Sequence, residues 1–315
     1  MDVKKRRFYA HGKLLLSGEY VVLDGARALA LPTIQGQILE VLDSDLPQPT
    51  LTWISHHPNK KVWLKIIFSL PDLEIIGEED HRALRLQDIL KSARKLNPGF
   101  LKEEKGYVVH TFLEFPLEWG LGSSSTLIAS FAQWAGVDPY QLLELSFGGS
   151  GYDLAAAVAD GPIFFQKRSG ENLVEAAPFD PPFKEQLFFV YLNQKKDSRE
   201  GIRLYKKRKM GKEAIDRISE ISKAFTEAET LKAFENLIDE HEQIISDHLN
   251  LQFAKALYFS DYWGSIKSLG AWGGDFVLAT SNKSELETIN YFTEKGFKSI
   301  IPYKDIIFAA SNQRG

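Results

Sequence analysis

The chain has 315 residues, 44% of them hydrophobic and 25% charged, with a net charge of −4 and no cysteine. That length allows one large domain or two medium ones around a substantial core. The charge gives no reason to expect nucleic acid or an anionic membrane as a partner, and the lack of cysteine excludes disulfides, thiolate zinc sites and a cysteine nucleophile.

The N-terminus, MDVKKRRFYAHGKLLLSGEY, begins basic, but His11, Lys13 and Glu19 interrupt the apolar run that a signal peptide needs. No stretch reaches the apolar length of a membrane span, and a cytoplasmic location is expected. Phe8–Leu16 and Tyr20–Leu23 read as short strands around turns at Gly12 and Gly18. Lys13 lies among apolar residues in the first, where a lysine by itself reads as a snorkelling edge residue. Ala28–Leu42 and Leu51–Leu70 read as further strands, broken by DSDLPQP. The pair His56–His57 has no partner at metal-ligand spacing and reads as polar loop. A helix is predicted over His81–Leu96, stopped by Asn97-Pro98-Gly99.

Tyr107–Phe115 reads as a strand and LIASFAQWAG as a helix, with Leu127, Phe131, Trp134 and Ala135 on one face. Between them lies Pro116–Thr126, PLEWGLGSSST. A helix N-terminus presents unpaired N–H groups and a partial positive charge, a combination that binds phosphate. Gly120 and Gly122 let the backbone come close to an anion. Ser123, Ser124 and Ser125 can cap the helix, donate to phosphate oxygens or ligate magnesium. Neither GxxxxGK[ST] nor GxGxxG is present, and taken alone these residues fit an ordinary strand–turn–helix junction equally well.

Pro139–Leu145 is helical and runs into FGGSGYD, where Gly148 to Gly151 permit a sharp approach. Asp153 then opens DLAAAVAD, and by itself reads as a helix cap. Gly161–Lys167 reads as a strand, PFDPP at Pro178–Pro182 as a boundary, and Leu187–Leu192 as the buried strand that opens a second half. YKKRKMGK at Tyr205–Lys212 reads as basic helix surface. Ile215–Leu249 reads as two helices, whose His241 and His248 lack the HExxH pattern of a zinc site. Lys267–Asp275 is a glycine-rich loop, expected between a helical Ser260–Ile266 and a strand at Phe276–Thr280. A helix over Asn290–Gly296 and strands at Ser299–Ile301 and Asp305–Ala309 complete the pattern.

Four stretches, in order, resemble the motifs of the GHMP kinase superfamily, its mevalonate kinase and phosphomevalonate kinase branch above all. They are AHGKLLLSGEYVVLDGARALALP (Ala10–Pro32), PLEWGLGSSST, GGSGYDLAAAVADGPIFF (Gly148–Phe165) and KSLGAWGGDFVLAT (Lys267–Thr280). The resemblance implies a two-lobed α+β fold. A ribosomal protein S5 domain 2-like, ATP-binding lobe is expected over 1–180 and a ferredoxin-like lobe over 181–315. It implies ATP and Mg2+ as cofactors and transfer of the γ-phosphate to an alcohol. Asp153 becomes the carboxylate that accepts or orients the acceptor hydroxyl proton, and Lys13 a fixed positive charge near the transferred phosphate. The ATP phosphates fall to Gly120, Leu121, Gly122, Ser123, Ser124 and Ser125. The acceptor falls to Glu19, Tyr20, Lys195, Lys196, Ser198, Arg199, Gly270 and Gly273. For the four residues of NQKKDSR, a solvated charged loop is the other reading. Magnesium falls to Ser124, with Glu144 the nearest acidic residue upstream of Asp153.

The sequence departs from the family at four places, one of them Glu144, which lies closer to Asp153 than the upstream glutamate of mevalonate kinases. His11 stands where a proline is usual, Trp272 where a glycine is usual, and Tyr20 where mevalonate kinases have histidine. NQKKDSR leans to mevalonate kinase, whereas Tyr20 and Asp275 lean to phosphomevalonate kinase. Mevalonate is the expected acceptor and phosphomevalonate the alternative. A non-catalytic homologue that binds nucleotide or metabolite is the third reading. The expected partner is a small molecule, not nucleic acid or a membrane, and the protein is expected to be a monomer or homodimer.

Overall fold

The computed structural model describes residues 5–44, 49–103, 105–194, 198–208, 210–270 and 274–309, the side chains of 198–200 excepted. The fold is α+β, and the residues sort into two compact units. One comprises Met1–Gly12, Gln35–Leu117 and Gly122–Val158, and the other Lys13–Ile34, Glu118–Leu121 and Ala159–Gly315. Two long strands, β1 (Lys5–Ser17) and β2 (Arg27–Ser44), are each divided between the units.

The first unit continues with β3 (Thr50–His56), β4 (Val62–Ser69), β5 (Ile75–Ile76), α1 (His81–Leu96), β6 (Gly106–Leu113), α2 (Ser123–Ala135), α3 (Pro139–Ser146) and α4 (Tyr152–Ala157). Its strands run in the order β5-β4-β3-β6-β2, antiparallel throughout except for the parallel pair β3–β6. A parallel pair needs a crossover, and α1 lies within it. Alternation along β3 and β6 turns Leu51, Trp53, Tyr107 and Val109 into a core closed by Leu86, Ile89 and Leu90 of α1 and by Ile128, Phe131 and Ala132 of α2. Helix α1 occupies the residues predicted for it, because Asp80 caps its first turn by accepting from the N–H groups of Arg82 and Ala83.

The second unit holds β7 (Ile163–Gln166) and β8 (Leu173–Ala176), of which β7 pairs with the start of β2. It continues through β9 (Leu187–Tyr191), α5 (Ser198–Lys207), α6 (Lys212–Glu227), α7 (Leu231–Leu249), α8 (Ala254–Tyr258), β10 (Ile266–Ser268), β11 (Phe276–Thr280), α9 (Glu285–Glu294), β12 (Ile300–Pro302) and α10 (Tyr303–Ile306). Strands β9 to β12 form an antiparallel sheet in the order β10-β11-β9-β12. With helices between β9 and β10 and between β11 and β12, this is the ferredoxin-like arrangement.

Several expectations are corrected. Strand β1 runs unbroken through Gly12, and the predicted strand Tyr20–Leu23 is a 3-10 turn over Val21–Asp24. Its short-range bonds, such as Leu23 N–H to Tyr20 O at 3.0 Å, leave nothing for a ladder. Ser260–Ile266 is not helical: β10 begins at Ile266, so Lys267 belongs to a strand and not to the loop. The predicted strand Asp305–Ala309 starts in α10, and only Ile307 bridges, to Thr33. The helix predicted over Asn290–Gly296 begins earlier, as α9 at Glu285, behind a Ser284–Glu287 capping box. His56 lies in β3, not in a loop, and its Nε2 sits 3.0 Å from Nδ1 of His110 on β6. Among the described residues no helix is long and apolar enough to cross a membrane.

Candidate functional site

The glycine–serine stretch is divided between the units, with Glu118–Leu121 in the second and Gly122 onward in the first. In the first unit Gly122, at φ 85°, is the N-cap of α2, and Ser123 is already helical. The serines therefore lie inside the first turn, and the expectation that one of them caps the helix is corrected. The first intrahelical bond runs from Thr126 N–H to Gly122 O, so the N–H groups before it are those a helix leaves to outside acceptors. The Thr126 hydroxyl, 2.6 Å from Gln37 Oε1 on β2, fixes this turn against the sheet. Ser125 is buried, Ser123 half-buried and Ser124 exposed, so Ser124 is the most solvent-exposed of the three.

Asp153 stands in the first turn of α4, half-buried. The cap position belongs to Gly151, at φ 91°, so capping does not explain an aspartate here. Gly148 and Gly149 also have positive φ, and a Cβ at either would meet nothing within 4 Å. They are needed for their backbone conformation and not for a close approach. Glu144 is exposed on α3.

In the second unit Lys13 engages the first half of the glycine–serine stretch. Its backbone N–H donates to Leu121 O at 3.0 Å, and its Nζ donates to Gly120 O at 3.3 Å. Gly120, at φ 65°, lies against Asp275, so that a Cβ there would fall 2.0 Å from Asp275 Oδ2. Gly120→Ala is expected to destabilise the protein by about 1–3 kcal/mol through left-handed strain and this clash. The cost should shrink in an Asp275→Ala background, and urea unfolding of the four proteins measures that coupling.

Glu19 is not turned to solvent. Its side chain and that of Lys267 are both 0% exposed, with Lys267 Nζ 2.8 Å from Glu19 Oε1. His241 Nε2 lies 3.2 Å from Glu19 Oε2 and 3.3 Å from the N–H of Gly18. Glu242 Oε1 lies 3.6 Å from Lys267 Nζ, and Glu242 Oε2 accepts from Ser268 N–H. Burial alone would raise the Glu19 carboxyl, but the Lys267 ammonium and His241 outweigh it and hold it below the usual range. Burial, with Lys267 adding to it, lowers His241, so its imidazole is neutral. Its single Nε2 can then serve Gly18 or Glu19, one at a time. Glu242 is pushed up to about 7 by burial, against the pull of Lys267.

Tyr20 follows Glu19 in an uncommon conformation, φ 64° and ψ −47°. Val21 N–H donates to Glu19 O at 2.7 Å, so Tyr20 is the centre of a γ-turn of the rare positive-φ kind. Such a turn costs about 1–3 kcal/mol and persists only where its surroundings hold it. The Tyr20 ring stacks on Tyr205 of α5, whose hydroxyl donates to Asp24 at 2.6 Å. A Cβ at Gly201 of α5 would fall 2.4 Å from the Tyr20 hydroxyl. Burial, then the charges of Glu19 and Asp275, raise the Tyr20 phenol.

Of the remaining candidates, Gly270 has positive φ, and a Cβ there would meet nothing within 4 Å among the described residues. Lys195, Lys196, Trp272 and Gly273 lie outside the described residues, as do the side chains of Ser198 and Arg199. Sequence reasoning missed Lys267, His241 and Glu242 as a cluster, because Glu19 and Lys267 are 248 positions apart. It also did not place Asp275 against Gly120.

No protein-family model matches the chain, and no curated protein matches it. Solved structures do. A Methanococcus jannaschii mevalonate kinase is 14% identical at a TM-score of 0.69, over 95% of this chain and 97% of that one. A Streptococcus pneumoniae phosphomevalonate kinase, solved with phosphomevalonate and AMPPNP, is 16% identical at 0.66, over 94% and 99%. A Lactococcus lactis galactokinase, solved with galactose, is 13% identical at 0.65, over 98% and 94%. Likeness over nearly the full length of enzymes with three different acceptors speaks for a shared architecture and not for a shared substrate. The fold of this chain is that of the GHMP kinases.

Proposed function

We propose that the protein is an ATP-dependent kinase that transfers the γ-phosphate to a small-molecule alcohol or phosphate, with the mevalonate hydroxyl the first choice of acceptor and the phosphate of phosphomevalonate the second. The observation that carries this reading is the bonding of Lys13 to Gly120 and Leu121, immediately before a helix that begins at three serines. The N–H groups of that first turn would hold phosphate oxygens, and the Lys13 ammonium would offset charge on the transferred group. The acceptor oxygen attacks the γ-phosphorus as the bond to the β-phosphate bridging oxygen breaks and ADP leaves. Asp153 takes the proton of the attacking hydroxyl.

The reading assigns magnesium to Ser124 and Glu144. The exposed Ser124 hydroxyl and the Glu144 carboxylate are hard oxygen ligands, few enough to suit an ion that is shared with phosphates. When bound, the ion would neutralise phosphate charge. Tyr20 would face the acceptor, and the basic segment NQKKDSR would pair with its anionic group. A cytoplasmic monomer or homodimer without a nucleic-acid or membrane partner completes the reading.

The test is ATP consumption with magnesium against mevalonate, phosphomevalonate, galactose and a panel of amino-acid alcohols. Turnover with one of them fixes reaction and acceptor together. ATP binding without turnover on any acceptor would replace this reading with that of a non-catalytic homologue.

A further inference from the structure

We propose that Lys267 is a positioning residue for the acceptor side of the site: by pairing with Glu19 it holds the γ-turn at Tyr20 in its strained form. The proposal rests on the kinase reading in that Tyr20 is taken to face the acceptor. Three consecutive residues of the second unit are each tied to a different element. The N–H of Gly18 reaches His241 on α7, Glu19 reaches Lys267 on β10, and the Tyr20 ring stacks on Tyr205 of α5. No local preference keeps tyrosine at positive φ, so these ties must supply what the turn lacks. The Lys267 pair is the charged one among them, with both side chains fully buried.

Stability alone does not account for this arrangement. Apolar side chains of similar volume would fill the same space without the cost of drying two charges, and a buried ion pair is better explained by fixing one geometry. The cluster is also incompletely satisfied. His241 Nδ1, Glu242 Oε1 and Ser268 Oγ are buried without a hydrogen-bond partner among the described residues. The charged and titratable groups around Glu242 are Lys267 on β10, Glu19 on the turn and His241 beside it on α7. On helix α6 the buried Ser222 hydroxyl accepts from that of Ser17. An ionised Glu242 therefore competes with Glu19 for one ammonium.

Two variants test this. Glu19→Gln/Lys267→Met removes both charges together, so neither is left buried alone. Glu242→Gln keeps the pair and removes the competitor. In hydrogen exchange, the double variant should lose about tenfold or more of the protection at residues 18–24 and in α5, with protection in α1 and α2 unchanged. In kinetics its acceptor KM should rise about tenfold or more, with the KM for ATP within about twofold. In the wild type, protection of the turn and acceptor affinity should both weaken from pH 6 to pH 8, and in Glu242→Gln both should stay level. A folded double variant with unchanged exchange and unchanged acceptor KM would overturn the proposal. If the double variant does not fold, identical pH responses of Glu242→Gln and wild type would overturn it. A wild type inactive on every acceptor, but with these exchange changes, would sink the kinase reading and leave the hold of Lys267 on the turn intact.

Discussion

Asp153→Ala is expected to lower kcat by about 10²–10⁴-fold while leaving the dissociation constant for ATP within about threefold. In the proposed mechanism the carboxylate acts on the proton of the acceptor hydroxyl and not on the nucleotide, so its loss would fall on the chemical step. The fold gives little reason to expect a collapse instead. Gly151 caps α4, so the helix keeps its cap, and alanine is the better helix former at the vacated position. Asp153→Asn separates the two carboxylate roles. An amide can orient a hydroxyl but cannot take its proton, so Asn should match Ala if proton acceptance dominates and recover part of the rate if orientation does. Single-turnover kinetics with ATP in excess isolate the step, and thermal unfolding checks the fold. An intact rate in Asp153→Ala would show that the mechanism assigned here is wrong.

Much of the architecture was legible because the signals were local. Helix α1 had a cap and a stop within its own neighbourhood, and α2 showed one apolar face behind a glycine–serine run. The ferredoxin-like second lobe was implied by the resemblance to the GHMP kinases and not by the strand pattern, since the residues of β10 read as the end of a helix and the start of a loop. The failures share a cause as well. Val21 and Val22 are buried in a 3-10 turn, and a short apolar run there cannot be told from a strand by its period. His56 finds His110 54 positions away, and Glu19 finds Lys267 248 positions away. No spacing rule reaches that far. Glu19 was readable as a motif residue, but its burial was not. Only the folded chain shows that its carboxylate faces inward, and that Tyr20, its neighbour, is buried as well, with its ring stacked on Tyr205. The need for glycine at 120 was likewise hidden, since it comes from the Asp275 carboxylate on a distant loop.

Lys267→Met should cost about 3–5 kcal/mol at pH 7, among the largest single losses available in this chain, because it strands Glu19 in a dry interior beside Glu242. The loss should be smaller at pH 5, where the two carboxylates can escape by binding protons. The two acids also act on stability with opposite signs. Glu19 is held below its ordinary value, so its contribution is present above that value and fades as pH falls through the lowered one. Glu242 is raised from 4.5 to about 7, so its contribution is complete below 4.5 and is lost as pH climbs to about 7. At 1.36 kcal/mol for each pH unit, that second loss amounts to about 3 kcal/mol. Glu242→Gln, which fixes the neutral form, should therefore gain about 3 kcal/mol on the wild type between pH 4.5 and pH 8. Urea unfolding at half-unit pH steps reads both effects. A Lys267→Met protein within about 1 kcal/mol of wild type at pH 7 would mean that Glu19 finds water or another partner when its cation is removed, and that the cluster is not the closed interior described here.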